Sequence, residues 1–289
     1  MHPLIGPFKD PSFTIPGLGL EIHAFGILVA LGFVLGGNVA QAKATRFGGS
    51  ADAINRLIGW LVFGVFVGGH WGHLLMYKPE DLAGDGARFS RFFTELSHFR
   101  MPHGDNVPVL LQFWHGLSSF GGFFLCVALT VWFFRKEKMP FWPNADALAI
   151  GLTLGWFFGR MGCFSAHDHA GTQTNFYLGV YGMCPGNNPT IACHDLGLYE
   201  AIWSIGVFGL FTLLDRVRRP AGFYTGLLAA LYGPCRFASD FFRNQETDTR
   251  YFGLTPAQYG SIVLTLIGIW VIRSRVLGAR AEAAAPNTS

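Results

Sequence analysis

Residues 145–171 read ADALAIGLTLGWFFGRMGCFSAHDHAG. The first part of this stretch is an almost unbroken apolar run, of the length that about 20 residues of helix need to cross a bilayer. Where such a run should end quietly in lipid, it delivers Arg160, Cys163 and the triplet His167, Asp168 and His169. A guanidinium at membrane depth costs on the order of 3 kcal/mol unless an anion or a polar cavity receives it. Arg160 therefore marks either a functional site or a side chain that snorkels to the headgroups.

The rest of the chain repeats the pattern. Of 289 residues, 51% are hydrophobic and only 13% charged, which excludes an ordinary soluble protein. Apolar runs at residues 20–42, 54–77, 116–134, 145–166, 197–214, 224–242 and 256–272 predict an all-α polytopic membrane protein with seven transmembrane helices. Basic residues follow every second run: Lys43 and Arg46, then Arg135, Lys136 and Lys138, then Arg216, Arg218 and Arg219, then Arg273 and Arg275. Positive charge marks the cytoplasmic side, so the N-terminus is expected outside and the C-terminus inside. Arg160, the His-Asp-His triplet, His70 and Asp240 then face outward. No basic segment leads into an apolar one before residue 18, so no cleavable signal is expected and the first span directs insertion. Period-two alternation is absent, which argues against a barrel. A net charge of +3 implies no nucleic-acid partner. No internal repeat suggests an inverted-repeat transporter.

Residues 1–278 are expected to form one integral membrane domain, with an outward arm at 78–114, an outward head loop at 166–197 and a disordered tail at 279–289. In the arm, Phe89, Phe92, Phe93, Leu96 and Phe99 recur at helical spacing among Arg88, Arg91 and Arg100, the pattern of an amphipathic helix lying on headgroups. The 38 glycines predict helices packed through small residues. Cys184 and Cys193 flank a turn in the outward loop and predict a disulfide. Cys126 and Cys235 read as packing residues, and Cys163 as either a packing residue or a reactive thiol beside an arginine.

Arg160 and Arg236 come from different spans at similar depth. Two guanidiniums sharing a cavity call for an anion between them, and a phospholipid phosphate matches their fork geometry. Asp240, four residues beyond Arg236, can pair with it and orient it. His70, His73, His115, His167, His169 and His194 are expected to gather at the same end, where one of them would suffice for proton transfer and several could hold a metal.

Five ordered stretches resemble the prolipoprotein diacylglyceryl transferase family. GRMGCFSAHDHAG is similar to its signature at Arg160, Gly162, Phe164, Asp168 and Gly171; WHGLSSFGGF to its glycine-rich third-span entry; CHDLGLYEA to its segment ending in Leu-Tyr-Glu, at His194, Leu198, Tyr199 and Glu200. YGPCRFASDFFR resembles the sixth-span motif at Tyr232, Gly233, Arg236, Asp240, Phe242 and Arg243, and LTPAQYGSI the seventh-span entry at Gln258. The resemblance implies transfer of the diacylglyceryl group of phosphatidylglycerol to the lipobox cysteine of a prolipoprotein, in a bacterial inner membrane, with no cofactor and no metal. It implies a substrate site of Arg160, Arg236, Gly171, Tyr232, Asp240, Glu200, His194 and His70. Gly121 stands where the family has a histidine, Cys163 where it has asparagine, Phe25 where it has tyrosine, and His70 where it often has arginine. The catalytic candidates are accordingly His115, His167, His169 and Asp168. Two other readings follow from these departures: a relative that binds phospholipid without transferring it, and a metal-dependent membrane enzyme built on the histidines.

Overall fold

The computed structural model describes residues 3–8, 11–15, 20–98, 101, 106–113, 116–186, 188–243 and 250–284. It is mostly helical: α1 Ala24–Arg46, α2 Ala51–Tyr77, α3 Asp85–Ser97, α4 Ser119–Lys136, α5 Phe141–Ala166, α6 Leu196–Leu214, α7 Phe223–Ser239 and α8 Pro256–Ala284. Five short strands accompany them: β1 Ser12–Ile15, β2 Leu20–His23, β3 Ala170–Gln173, β4 Val180–Tyr181 and β5 Ala192–Asp195.

Each predicted apolar run is largely helical, and among the described residues five helices, α1, α2, α5, α6 and α8, are long and apolar enough to cross a membrane. Helix α4 has 18 residues and α7 has 17. At 1.5 Å per residue these reach about 26 to 27 Å, just short of a hydrocarbon core of about 30 Å. The predicted first run also begins too early. Residues 20–23 form β2, which pairs with β1, and the helix starts only at Ala24. At the other end α7 stops at Ser239 and passes into a 3-10 turn, Asp240–Phe242. Helix α8 continues to Ala284, so residues 279–284 are helical where a disordered tail was expected, and residues 285–289 lie outside the described residues.

Two compact units emerge, one of Met1–Ile54 with Pro140–Ser289 and one of Asn55–Met139. In the first, α1 and α5 meet along small residues. Gly32, Gly36, Ala40 and Ala44 recur every fourth position and are buried. A Cβ on Gly36 would lie 2.7 Å from the Gly151 carbonyl oxygen, so only glycine permits the approach. Without a hydrophobic drive inside lipid, such backbone proximity is what holds helices together. Polar clasps add register. The Asp146 carboxylate of α5 accepts from the Gly222 and Thr225 amides at 2.7 and 2.8 Å, fixing the start of α7. Asp215, at the end of α6, receives Lys43 at 2.5 Å and Arg46 at 2.7 Å from α1.

Between α5 and α6 lies a small head in which β5 pairs with both β3 and β4. The expected disulfide links Cys184 to Cys193. Such a closure stabilises a short loop by roughly 2–3 kcal/mol through the unfolded state. The N-terminal segment joins this head, where Ile5 bridges to Val180 and Leu4 donates to the Tyr177 carbonyl at 3.0 Å.

The second unit packs α2 on α4 by the same device. Gly68 and Gly72 face Gly121 and Gly64 faces Cys126, and a Cβ on Gly68 would sit 2.6 Å from the Gly121 oxygen. The arm contains the predicted helix, α3, whose Phe93 and Leu96 are exposed; Phe99 and Arg100 lie outside the described residues. Asp85 anchors the arm, accepting from the Val109 and Leu110 amides at 2.9 and 3.1 Å and from Arg88 at 3.0 Å. Burial pushes this carboxyl up, but those donors outweigh it and hold it below the usual carboxylate range.

Candidate phosphate site at the end of helix α5

The last turns of α5 carry Trp156 and, one turn on, Arg160, whose guanidinium carbon lies 5.0 Å from the indole centroid. Helix α6 supplies Glu200 in its second turn. One Arg160 nitrogen is 2.8 Å from the Glu200 carboxylate, with the two side chains 12% and 4% exposed. Trp156 Nε1 donates to the same oxygen at 3.3 Å. Tyr232 of α7 stands edge-on to Trp156, ring centroids 6.0 Å apart, and against Trp203 at 5.5 Å. Tyr232 lies one turn before Arg236 on α7 and Trp156 one turn before Arg160 on α5, so their contact brings the two arginine-bearing segments together.

Arg236 follows Tyr232 by one helical turn and pairs with Asp240 at 3.1 Å. Asp240 also receives Arg243 at 3.6 Å and the Thr255 hydroxyl. A carboxylate held from three sides on a 3-10 turn is a fixed strut for the Arg236 fork, as the spacing of the two residues suggested. Thr255 carries no signal in the sequence; it is found only because α8 begins beside that turn.

Helix α5 ends through His167, which takes a left-handed conformation at φ 53°. The reversal sends neighbouring histidines in different directions. His167 turns to the N-terminal segment, its Nε2 3.1 Å from the Phe8 carbonyl and its Nδ1 3.8 Å from Asp195. His169 turns back to Arg160: its Nε2 is 3.1 Å from an Arg160 nitrogen, and its Nδ1 is hydrogen-bonded to Asp168. The same Arg160 nitrogen lies 3.7 Å from Cys163 Sγ. Guanidinium nitrogens only donate, so Nε2 of His169 must accept and the ring proton sits on Nδ1 toward Asp168. The Arg160 Nε, buried, has no partner among the described residues.

The expected gathering of histidines is thus not what this unit shows. His194 lies in an aromatic setting, Nδ1 2.7 Å from the Tyr199 hydroxyl and its ring 4.6 Å from that of Phe242. Burial lowers its pKa and favours the neutral ring. Gly171 sits beneath it: a Cβ there would fall 2.5 Å from the Phe242 oxygen and 3.0 Å from His194 Cβ. Its bridge to Arg243 ties β3 to the Asp240 turn. In the other unit His70 is 1% exposed, with Nε2 2.7 Å from the Val109 carbonyl. It lines a cavity of about 370 Å³ together with His73, Glu80, Asp81 and Arg88. His115 lies outside the described residues. Asp195 went unnoticed in the sequence. It caps α6 by accepting from Leu198 N at 2.8 Å, and burial pushes its carboxyl up to about 7.

A family model described as prolipoprotein diacylglyceryl transferase matches residues 13–273. The chain belongs to the prolipoprotein diacylglyceryl transferase family. Relatives named phosphatidylglycerol–prolipoprotein diacylglyceryl transferase include one from Solidesulfovibrio magneticus, 31% identical over 93% of this chain and 97% of the relative. One from Chromohalobacter salexigens is 29% identical over 97% and 95%, and one from Acinetobacter baumannii 27% over 88% and 88%. Like its apolar helices, the family match makes this a multi-pass membrane protein.

Within this family member the positions where the sequence departs from the resemblance now have surroundings. Gly121, where a histidine is usual, is wedged against the Gly68 carbonyl, and a Cβ there would also lie 2.6 Å from Gly72 Cα. The α2–α4 seam has closed over the place a side chain would need. Phe25 covers Gly162, the residue next to Cys163. Cys163 itself joins Asp168 and His169, one donor-type atom of each lying within 4.8 Å of the others.

Proposed function

We propose that this protein transfers the diacylglyceryl group of phosphatidylglycerol to the lipobox cysteine of prolipoproteins at the outer face of a bacterial inner membrane. The observation that carries the reading is the buried Arg160 guanidinium, which keeps a donor with no partner among the described residues and packs on Trp156, itself in contact with Tyr232 one turn before Arg236. In the reaction the acceptor thiolate attacks the glycerol carbon bonded to phosphate, the carbon–oxygen bond breaks, and glycerol 1-phosphate leaves. Arg160 and Arg236 stabilise the charge that grows on the departing phosphate. Glu200 and Asp240 hold the two forks; Tyr232, Gly171 and His194 shape the pocket around them.

His169 takes the thiol proton: its Nε2 is unprotonated and accepts from Arg160 until the lipid phosphate takes that donor, and Asp168 orients the ring. His167 serves the head rather than the reaction, since its nitrogens face Phe8 and Asp195. His70 acts from the other unit on the Val109 turn, and His115 remains a candidate base. All seven apolar helices span the bilayer in this reading, with the N-terminus outside and the C-terminus cytoplasmic.

A second reading, phospholipid binding without transfer, draws on the closed seam at Gly121. One experiment separates them. The purified chain in phosphatidylglycerol vesicles is given a synthetic lipobox peptide, and peptide mass and free glycerol 1-phosphate are measured. Transfer establishes the enzyme; a folded protein that binds the lipid and leaves the peptide unmodified overturns it.

A further inference from the structure

We propose that Cys163, His169 and Asp168 form a second catalytic apparatus at this site, a nucleophile, base and orienting acid that accepts a fatty acyl group from a phospholipid as a thioester. The inference rests on the reading that Arg160 holds the phosphate of that lipid.

Three observations converge. Donor-type atoms of the three residues lie within 4.8 Å of one another. The partners of His169 leave its Nε2 unprotonated and its Nδ1 proton directed at Asp168, the tautomer in which a nucleophile's base operates; the Nε2 lone pair, which accepts from Arg160, passes to Cys163 when the lipid phosphate takes that donor. A fixed cation, Arg160, lies 3.7 Å from Cys163 Sγ, where charge gathers during attack.

The electrophile follows from what the arginine binds. With the phosphate on Arg160, the acyl esters occupy the neighbouring carbons of the same glycerol. Thiolate attack on an ester carbonyl is the chemistry that cysteine–histidine pairs carry out. Attack on the glycerol carbon would instead leave a thioether that no base can release. In the acyl step Cys163 loses its proton to His169 Nε2, and Sγ bonds to the ester carbonyl carbon. Arg160 supplies a donor to the oxyanion. The ester carbon–oxygen bond then breaks, and the glycerol oxygen leaves with the proton from His169. The products are S-acyl-Cys163 and a lysophospholipid; water or an amine then takes the acyl group and frees the thiol.

The test uses the full chain in vesicles of acyl-labelled phosphatidylglycerol. After quenching, the peptide containing Cys163 is weighed with and without hydroxylamine, lysophospholipid is quantified, and a lipobox peptide in the same vesicles reports diacylglyceryl transfer. The expected result is an acyl adduct on Cys163 that hydroxylamine removes, together with lysophospholipid. Cys163→Ser should lose the thioester, and His169→Asn should slow its formation about a hundredfold. A Cys163 that stays unmodified with no lysophospholipid, an adduct of diacylglyceryl mass that resists hydroxylamine, or an unchanged rate in His169→Asn overturns the inference. Peptide transfer without the thioester rejects this inference alone, and the thioester without peptide transfer rejects the proposed function alone.

Discussion

Replacing Glu200 with Gln tests whether Arg160 is a ligand-binding charge or a structural one. The substitution keeps the shape, and it keeps an oxygen for Trp156 Nε1, but it removes the charge 2.8 Å from the guanidinium. With the Arg160 and Glu200 side chains only 12% and 4% exposed, water cannot replace the lost partner. An uncompensated buried charge costs about 3–5 kcal/mol. For a chain of this size that lowers the unfolding midpoint by roughly 6 to 20 °C. Thermal unfolding in a neutral detergent, with and without phosphatidylglycerol, reads the effect. Because a phosphate can take the carboxylate's place, the anionic lipid should return more stability to Glu200→Gln than to the unaltered protein. At a hundredfold excess over its dissociation constant, a bound lipid is worth about 2.7 kcal/mol. Phosphatidylcholine, whose headgroup carries no net charge, should return less. Equal midpoints for the two proteins in lipid-free detergent, or equal recovery with both lipids, would refute the reasoning.

Arg160→Lys and Arg236→Lys should each lower transfer about a hundredfold while the protein still inserts and purifies, and the double change should cost less than the product of the two, because both serve one phosphate. Steady-state transfer to a lipobox peptide measures both effects. Gly121→His, which restores the usual family residue, should not raise activity and should destabilise the protein by at least about 1–3 kcal/mol, since its Cβ meets the Gly68 carbonyl and Gly72 Cα; wild-type stability in that variant would show that the seam can open. Asp195 titrates near 7 in the fold but near 3.8 in a free chain. The folded state then binds the extra proton, so stability should fall as pH rises from about 4 to 7, by at most about 1.4 kcal/mol per unit. Asp195→Asn, which keeps the α6 cap, should flatten that slope in calorimetry.

Much of this site was legible in the residues. Arg160 and Arg236 stood out because charge inside an apolar run demands an explanation, and Asp240 because it lies one helical turn from Arg236. The disulfide followed from two cysteines either side of a turn in a loop without Lys or Arg. The pairing of Arg160 with Glu200 was not legible, since 40 residues and a small sheet separate them. Nor was the choice among histidines. His167 and His169 are alike in sequence, and only the left-handed residue at the end of α5 sends one to Phe8 and the other to Arg160.

By itself the sequence determined that this is a helical membrane protein with an arginine-centred candidate site, because hydropathy and the cost of buried charge are local properties that composition and spacing express directly. It also determined where glycines would let helices approach. The tertiary structure decided what each charge faces and what each glycine excludes. The loss of the usual histidine reads in sequence as a missing base; in the fold it is a closed α2–α4 seam in which position 121 has no room for a side chain. Cys163, Asp168 and His169 likewise come within 4.8 Å of one another only when the chain reverses after α5, since that reversal is a backbone event no side-chain pattern records.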